Sequence, residues 1–236
     1  MVRFLPNLLT LSNLFSGCLG IVFIFSDRPL AAVICVGICL LADFLDGLVA
    51  RLLHMNQPIG IQLDSLSDVV SFGVVPGMML YQMLHQVDAF DGPIGDILPY
   101  TAFIFPLFGA YRLARFNIEA GSGDSFSGLP IPAAAVYFTG LYLVANASSC
   151  TQCAHIFINP VVLLLSLVMF CYLMVSTLPH FWFKFKTLTW TGQQVQWIYI
   201  ILVIILVLLL REASISLAIV LYVFLSLLHF SIRPAS

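Results

Sequence analysis

Apolar runs separated by short polar turns set the pattern of this chain. Eight such runs, at about 10–26, 29–53, 59–85, 96–118, 129–147, 156–176, 194–211 and 213–231, are long and apolar enough to predict helices crossing a membrane. Between them, Asp27-Arg28-Pro29, Asn56-Gln57-Pro58, Asp91-Gly92-Pro93 and the cluster AGSGDSFSG (Ala120–Gly128) predict turns, because proline and glycine end helices for steric reasons. The last reversal, at Arg211–Ser214, must be very tight. The pattern predicts an all-α, polytopic transmembrane bundle of about eight spans, with residues 1–236 forming one domain.

Composition agrees with that solvent. Hydrophobic residues make up 61% of the 236, charged residues 8%, and the mean hydropathy is +1.06, well above what a water-soluble core requires. A net charge of −2, no basic patch and no glycine-rich phosphate loop argue against a nucleic-acid partner and a nucleotide-binding P-loop. With eight spans and both termini on one side, Arg3, Arg51, Arg112, Arg115, Lys184, Lys186 and Arg233 share one face, leaving Arg28 and Arg211 for the other. The positive-inside rule makes the first face cytoplasmic, and the Asp43/Asp46 end of the second helix points to it. The first apolar run, broken by Pro6, Asn7, Thr10 and Asn13, has no small-residue cleavage pattern and reads as a retained span. Cys18, Cys35, Cys39 and Cys171 fall within spans as packing residues. Cys150 and Cys153 fall in an outward loop where an oxidising compartment would allow a disulfide, with a metal site including His155 as the lesser reading. The stretch HFWFKFK (His180–Lys186) alternates aromatic and basic residues as interfacial anchors do.

What this oily background does not explain is Asp43, Asp46, Asp64 and Asp68. A carboxylate in mid-membrane costs about 2.5–3.5 kcal/mol on insertion scales, so a group of them needs cations or water. Helical rotation puts Asp43 and Asp46 about 60° apart and Asp64 and Asp68 about 40° apart, so each pair occupies one face. The short loop between the second and third helices makes those faces neighbours. Gly47 and Ala50 on one, and Gly60 on the other, allow close approach and leave room for a ligand. Facing carboxylates without a nearby lysine raise one another's pKa, and divalent cations resolve the conflict. Oxygen-only ligation suits Mg²⁺, Mn²⁺ or Ca²⁺, and a pair of such ions attracts a pyrophosphate, which points to phosphoryl-transfer chemistry. On the residues alone, a carboxylate-lined cation pathway or transporter and acids neutralised by protonation remain alternatives.

The spacing Asp43-x2-Asp46-Gly47-x2-Ala50-Arg51-x8-Gly60-x3-Asp64-x3-Asp68 resembles, without a departure, the signature of the CDP-alcohol phosphatidyltransferase family. PNLLTLSN (Pro6–Asn13) resembles the family's N-terminal segment. The resemblance implies that Asp43, Asp46 and Asp64 ligate a pair of divalent ions, that Asp68 reaches a metal and serves as general base, and that Gly47 and Arg51 contact the CDP moiety. Ala50 and Gly60 belong with that nucleotide site. Asn7, Thr10 and Asn13, at helical spacing, offer one hydrogen-bonding edge for the cytidine; N-capping and interfacial packing explain them equally.

GAYRLARFN (Gly109–Asn117) and FSGLPIPAA (Phe126–Ala134) resemble the serine-using branch of the family. That implies CDP-diacylglycerol and L-serine as substrates, drawn from membrane lipid and cytoplasm, with CMP released. Arg112 and Arg115, one helical turn apart, can turn toward one cavity and hold the serine carboxylate or the lipid phosphate, with Asn117 and Glu119 as further polar contacts. A sibling reaction with glycerol phosphate or inositol phosphate is the alternative; the scarcity of lysine, found only at 184 and 186, argues against a phosphorylated acceptor. A homodimer would also resemble the family.

Overall fold

In a computed structural model, residues 5–53, 58–87, 92–122, 128–147, 158–178 and 194–232 are described. The chain order is α1 (Leu5–Phe25), α2 (Pro29–Leu52), and α3 (Pro58–Asp68) running through a π-helical stretch (Val69–Val74) into α4 (Val75–His85). A short α5 (Pro93–Ile97) leads through a 3-10 segment (Leu98–Phe103) into α6 (Ile104–Ser122). Then follow α7 (Ile131–Asn146), α8 (Pro160–Val175), α9 (Gln194–Leu210), a 3-10 turn (Arg211–Ala213) and α10 (Ser214–Ile232). Among the described residues there is no strand. Cys150, Cys153, His155 and the His180–Lys186 stretch lie outside the described residues.

All eight expected runs are helical, but the count of eight spans is not confirmed. Leu5–Phe25, Pro29–Leu52, Pro58–His85, Gly95–Glu119 and Tyr199–Leu228 are long and apolar enough to cross a membrane, whereas α7 and α8 are apolar but only 16 residues each. At 1.5 Å per residue such helices rise about 24 Å, short of a hydrocarbon core of about 30 Å. Tyr199–Leu228 is itself bent back at the Arg211–Ala213 turn. The rings of Tyr199 and Tyr222 meet edge to face at 6.2 Å across it, so α9 and α10 form a hairpin. Arg211 takes a φ of +44° to make that tight reversal.

Proline at the first turn costs no helical hydrogen bond, and α2, α3, α5 and α8 all open on one. Pro6 is likewise accommodated in the first turn of α1, which therefore begins before the expected position and takes Asn7, Thr10 and Asn13 onto one regular helix. The core lies among α4, α6, α7 and α8: Met79, Leu80 and Met83 pack with Phe105, Phe138 and Phe170, all fully buried. Phe105 meets Phe138 edge-on at 5.0 Å, and Tyr137 stacks on Phe170 at 4.3 Å. Outward positions such as Leu41, Leu107, Leu165 and Leu208 are exposed and apolar, as a lipid-facing surface requires. Cys35, Cys39 and Cys171 are buried free thiols; Cys18 is exposed.

α1 packs along α2 and crosses α3 and the π stretch. Gly17 permits that crossing, since a Cβ there would stand 2.8 Å from Ser71 Oγ and 3.2 Å from its Cα. Gly128 is required for a different reason. Its φ is +107°, and a Cβ would fall 2.8 Å from Ser176 O and 2.9 Å from Met174 O. The N–H of Gly128 donates to Leu178 O and that of Leu129 to Leu173 O, both at 3.0 Å, so this loop satisfies one carbonyl in the last turn of α8 and one just beyond it. Gly128→Ala should lower stability by about 1–3 kcal/mol, through strain and a clash with carbonyl oxygens; thermal unfolding in detergent should show a clear drop in Tm, and an unchanged Tm would discount this tie.

Candidate active site

The last three turns of α2 and the end of α3 carry the carboxylates. Asp43, Asp64 and Asp68 each present an oxygen within 4.8 Å of the others. Asp46 is buried beside them, and the four groups interact electrostatically with one another. The acids of the two helices therefore converge as their spacing suggests, although the helices themselves pack chiefly on α1 rather than on each other.

α1 supplies the neighbours that orient these acids. Thr10 Oγ1 donates to Asp46 Oδ2 at 2.7 Å and also lies 3.0 Å from Pro6 O. Asn13, fully buried, donates from Nδ2 to Asp68 Oδ1 at 3.2 Å. The backbone carbonyl of Asn13 accepts in turn from Ser71 Oγ at 3.2 Å and from the Cys39 thiol at 3.3 Å, which ties α1 to both acid-bearing helices. Two oxygens are buried without any hydrogen bond: Asn13 Oδ1 and Asp64 Oδ1. An unmet buried carboxylate oxygen is costly unless a cation takes it up.

Beside the acids is a cavity of about 130 Å³. Asn7, Thr10, Gly47, Ala50 and Gly60 line it together with Asp46 and Asp64. A Cβ on Gly47 would meet no protein atom within 4 Å, so packing does not require glycine there. Arg51 is exposed at the end of α2, its Nε donating to Gly47 O at 2.9 Å, and Asn13 sits deeper, against Asp68. Neither lines the cavity.

The stretch around Arg112 divides. Arg112 is 8% exposed, lies within electrostatic reach of Asp68, and holds its guanidinium 5.8 Å from the Phe116 ring. Arg115 instead pairs with Glu119 at 2.5 Å and donates to Val175 O at 3.2 Å, fastening α6 to the end of α8. The two arginines thus have different partners. Asn117 donates to Ser65 Oγ at 2.8 Å, one residue beyond Asp64. Sequence reasoning missed Ser65, Ser71 and the π stretch. Val75 N–H reaches back five residues to Val70 O, and this widened turn follows Asp68 directly. Its signal is Pro76, which lacks the N–H that a regular helix would place on Phe72 O.

Residues 3–177 match the family described as CDP-alcohol phosphatidyltransferase. The chain belongs to this family. The match runs from α1 through α8 and contains the whole carboxylate cluster. Among similar proteins named CDP-diacylglycerol–serine O-phosphatidyltransferase, that of Helicobacter pylori strain J99 is 43% identical over 143 residues, 60% of this chain and 58% of that protein. The one of Bacillus subtilis strain 168 is 32% identical over 182 residues, 76% of this chain and 92% of that protein. An archaetidylserine synthase of Methanothermobacter thermautotrophicus is 37% identical over 164 residues, 69% of this chain and 67% of that family member. The chain spans 58% of the length of the two Helicobacter pylori relatives.

Proposed function

We propose that this chain transfers a phosphatidyl group from CDP-diacylglycerol to L-serine, releasing CMP, in a plasma (inner) membrane and from the cytoplasmic side. The convergence of Asp43, Asp64 and Asp68 beside the cavity formed by Gly47, Ala50 and Gly60 carries this reading. Serine as acceptor is supported by the names of the Helicobacter and Bacillus relatives. Residues 1–236 are taken as one domain. Outside the family match, α10 still packs on α7, with Ser216 Oγ donating to Tyr137 O at 2.8 Å.

The residues fit a pair of hard divalent ions, Mg²⁺ or Mn²⁺ with Ca²⁺ as a third candidate: every donor is an oxygen, and Asp64 Oδ1 has no other buried partner. Asp43, Asp46, Asp64 and Asp68 would hold them. When bound, such ions neutralise the pyrophosphate and the charge gathering on departing CMP. The remaining work falls to the chain. Asp68 accepts the proton of the serine hydroxyl as its oxygen bonds to phosphorus and the bond from phosphorus to CMP breaks. Asn13 holds Asp68 in place from one oxygen, leaving the other for that proton. Thr10 fixes Asp46. Gly47 keeps the wall of the cavity low for the nucleotide, and Arg51, at the exposed end of α2, reaches the CDP phosphates. Arg112, the buried cation near Asp68, is the stronger candidate for the serine carboxylate; Arg115 and Asn117 hold the surrounding helices in register.

Gly47→Leu separates the nucleotide site from the fold. Leucine favours helix over glycine by up to about 1 kcal/mol, and open space receives the side chain, so Tm should hold or rise. Affinity for CDP should nevertheless fall about tenfold or more, measured by calorimetry, because the side chain fills much of the cavity. Unaltered affinity would move the nucleotide elsewhere.

The function itself is tested with purified protein in detergent, CDP-diacylglycerol, Mg²⁺ and a panel of acceptors, with CMP release as the readout. Serine should exceed glycerol phosphate and inositol phosphate by a wide margin. Arg112→Lys keeps the charge but loses the bidentate fork, so KM for serine should rise several-fold. Serinol, lacking the carboxylate, should be a poor acceptor and lose much less. Preference for a phosphorylated acceptor would overturn the serine reading; equal losses for serine and serinol would remove Arg112 from the acceptor site.

A further inference from the structure

At the opposite end of the α1–α2 hairpin lies a second cavity, of about 240 Å³, lined by Phe25, Asp27, Met78, Tyr81, Gln82 and His85 among others. Asp27 lies fourteen residues beyond Asn13 along the chain, which at 1.5 Å per residue sets this cavity about 20 Å from the catalytic acids. We propose that this cavity binds the ammonium head group of a zwitterionic lipid in the leaflet opposite the active site.

Three observations carry this. First, the Asp27 carboxylate is held in place by a relay: Tyr142 donates its hydroxyl to Gln82 Oε1 at 2.7 Å, and Gln82 Nε2 donates to Asp27 Oδ1 at 3.1 Å. Asp27 takes its φ of +51° in the turn that ends α1, its N–H donating to Ile24 O and that of Arg28 to Phe23 O, so the turn that caps the helix also fixes where the carboxylate stands. Among the described residues no ion pair to Asp27 is present, so a positioned carboxylate stands in the cavity wall. Second, the wall beside it is aromatic. Tyr81 stacks on Phe103 at 5.6 Å, is braced by Tyr100 at 5.5 Å, and lies 5.9 Å from the His85 ring. An aromatic side chain beside a carboxylate suits an organic ammonium, whereas a metal ion would find only Asp27 and His85 as strong ligands in the lining. Third, the cavity adjoins lipid. Phe25 is 71% exposed and Val22 55%, so the α1 surface leading away from the cavity is apolar and outward-facing, a track for an acyl chain.

The inference does not rest on the serine reaction, and its test leaves that reaction as a separate readout. Native mass spectrometry of the full chain in detergent would compare phosphatidylethanolamine, phosphatidylcholine and phosphatidylglycerol of matched chains, and glycerophosphoethanolamine, which has the head group without chains. The ammonium lipids should bind about tenfold more tightly than phosphatidylglycerol, the order expected for one well-placed charge contact. Binding of glycerophosphoethanolamine as tight as the lipid would identify the head group alone as ligand; much weaker binding would identify the lipid. Asp27→Asn should abolish the preference. Met78→Trp, which fills the cavity while leaving the Tyr142–Gln82–Asp27 relay intact, should do the same and keeps the test open if the first variant folds poorly. CMP release should remain close to that of the parent in both. Equal binding of all three lipids by the parent, or a preference that survives Met78→Trp, overturns the proposal.

Discussion

Asp64→Asn is expected to reduce metal-dependent CMP release by about 10³-fold or more, beyond the 10–100-fold typical of losing a residue that only supports a metal ligand. The substitution keeps the side chain's shape, and Asp64 Oδ1 makes no hydrogen bond, so little protein contact is lost at that atom. What disappears is one anionic donor from a cluster whose oxygens lie within 4.8 Å of each other. Without metal, the variant should be no less stable than the parent, since one buried anion facing others has been removed. Added Mg²⁺ or Mn²⁺ should raise the Tm of the parent, because a ligand that binds only the folded state stabilises it, and should raise that of Asp64→Asn much less. Near-normal turnover at saturating metal would refute the metal reading, and an equal rise in Tm would place the ions elsewhere.

The carboxylate cluster was legible in the sequence because it depends on two regular periodicities and one short loop. Asp43 and Asp46 share a face of α2 by helical rotation, Asp64 and Asp68 share one of α3, and the few residues between these helices in the sequence keep the acids near each other, while α1 packs against both helices. The cavity beside the acids was legible for the same reason, since Gly47, Ala50 and Gly60 ride on the same faces. The role of α1 was harder to read. Asn7, Thr10 and Asn13 were expected as a polar edge for a ligand; Asn7 and Thr10 do line the cavity, and the hydrogen bonds of Thr10 and Asn13 to Asp46 and Asp68 are what the spacing did not announce. Nothing in the local pattern of α1 specifies which helix it crosses; that depends on the long-range approach at Gly17 and Ser71. Arg112 and Arg115 show the same limit. Their spacing puts them on one side of α6, but burial near Asp68 and a tie to Val175 O are decided by which neighbours each meets. The π turn after Asp68 was missed because hydrophobic periodicity does not distinguish a widened turn from a regular one, and Pro76 was its one local signal.

That turn gives the last acid a distinct setting, and Asp68→Asn is the sharpest way to ask what it does. Transfer to serine should fall by about 10²-fold or more, the range for losing a general base, while CDP affinity in the presence of metal stays within a few-fold of the parent. The structure favours a clean result. Asn13 now donates through Nδ2 to Asp68 Oδ1 and has an unpartnered Oδ1 of its own. If the residue at 68 becomes an amide, the Asn13 side chain can turn over and accept through that oxygen, so a hydrogen bond between α1 and α3 survives in either arrangement. The expected loss is then one of proton acceptance rather than of packing, and it should appear in kcat. Asn13→Ala, which leaves the carboxylate but removes its brace, should give a smaller fall, and the Asp68→Asn variant should gain little further loss from it, because both act on the same proton transfer. If calorimetry instead shows CDP binding lost in step with turnover in Asp68→Asn, the fourth aspartate is chiefly a metal ligand and the proton must go to another group.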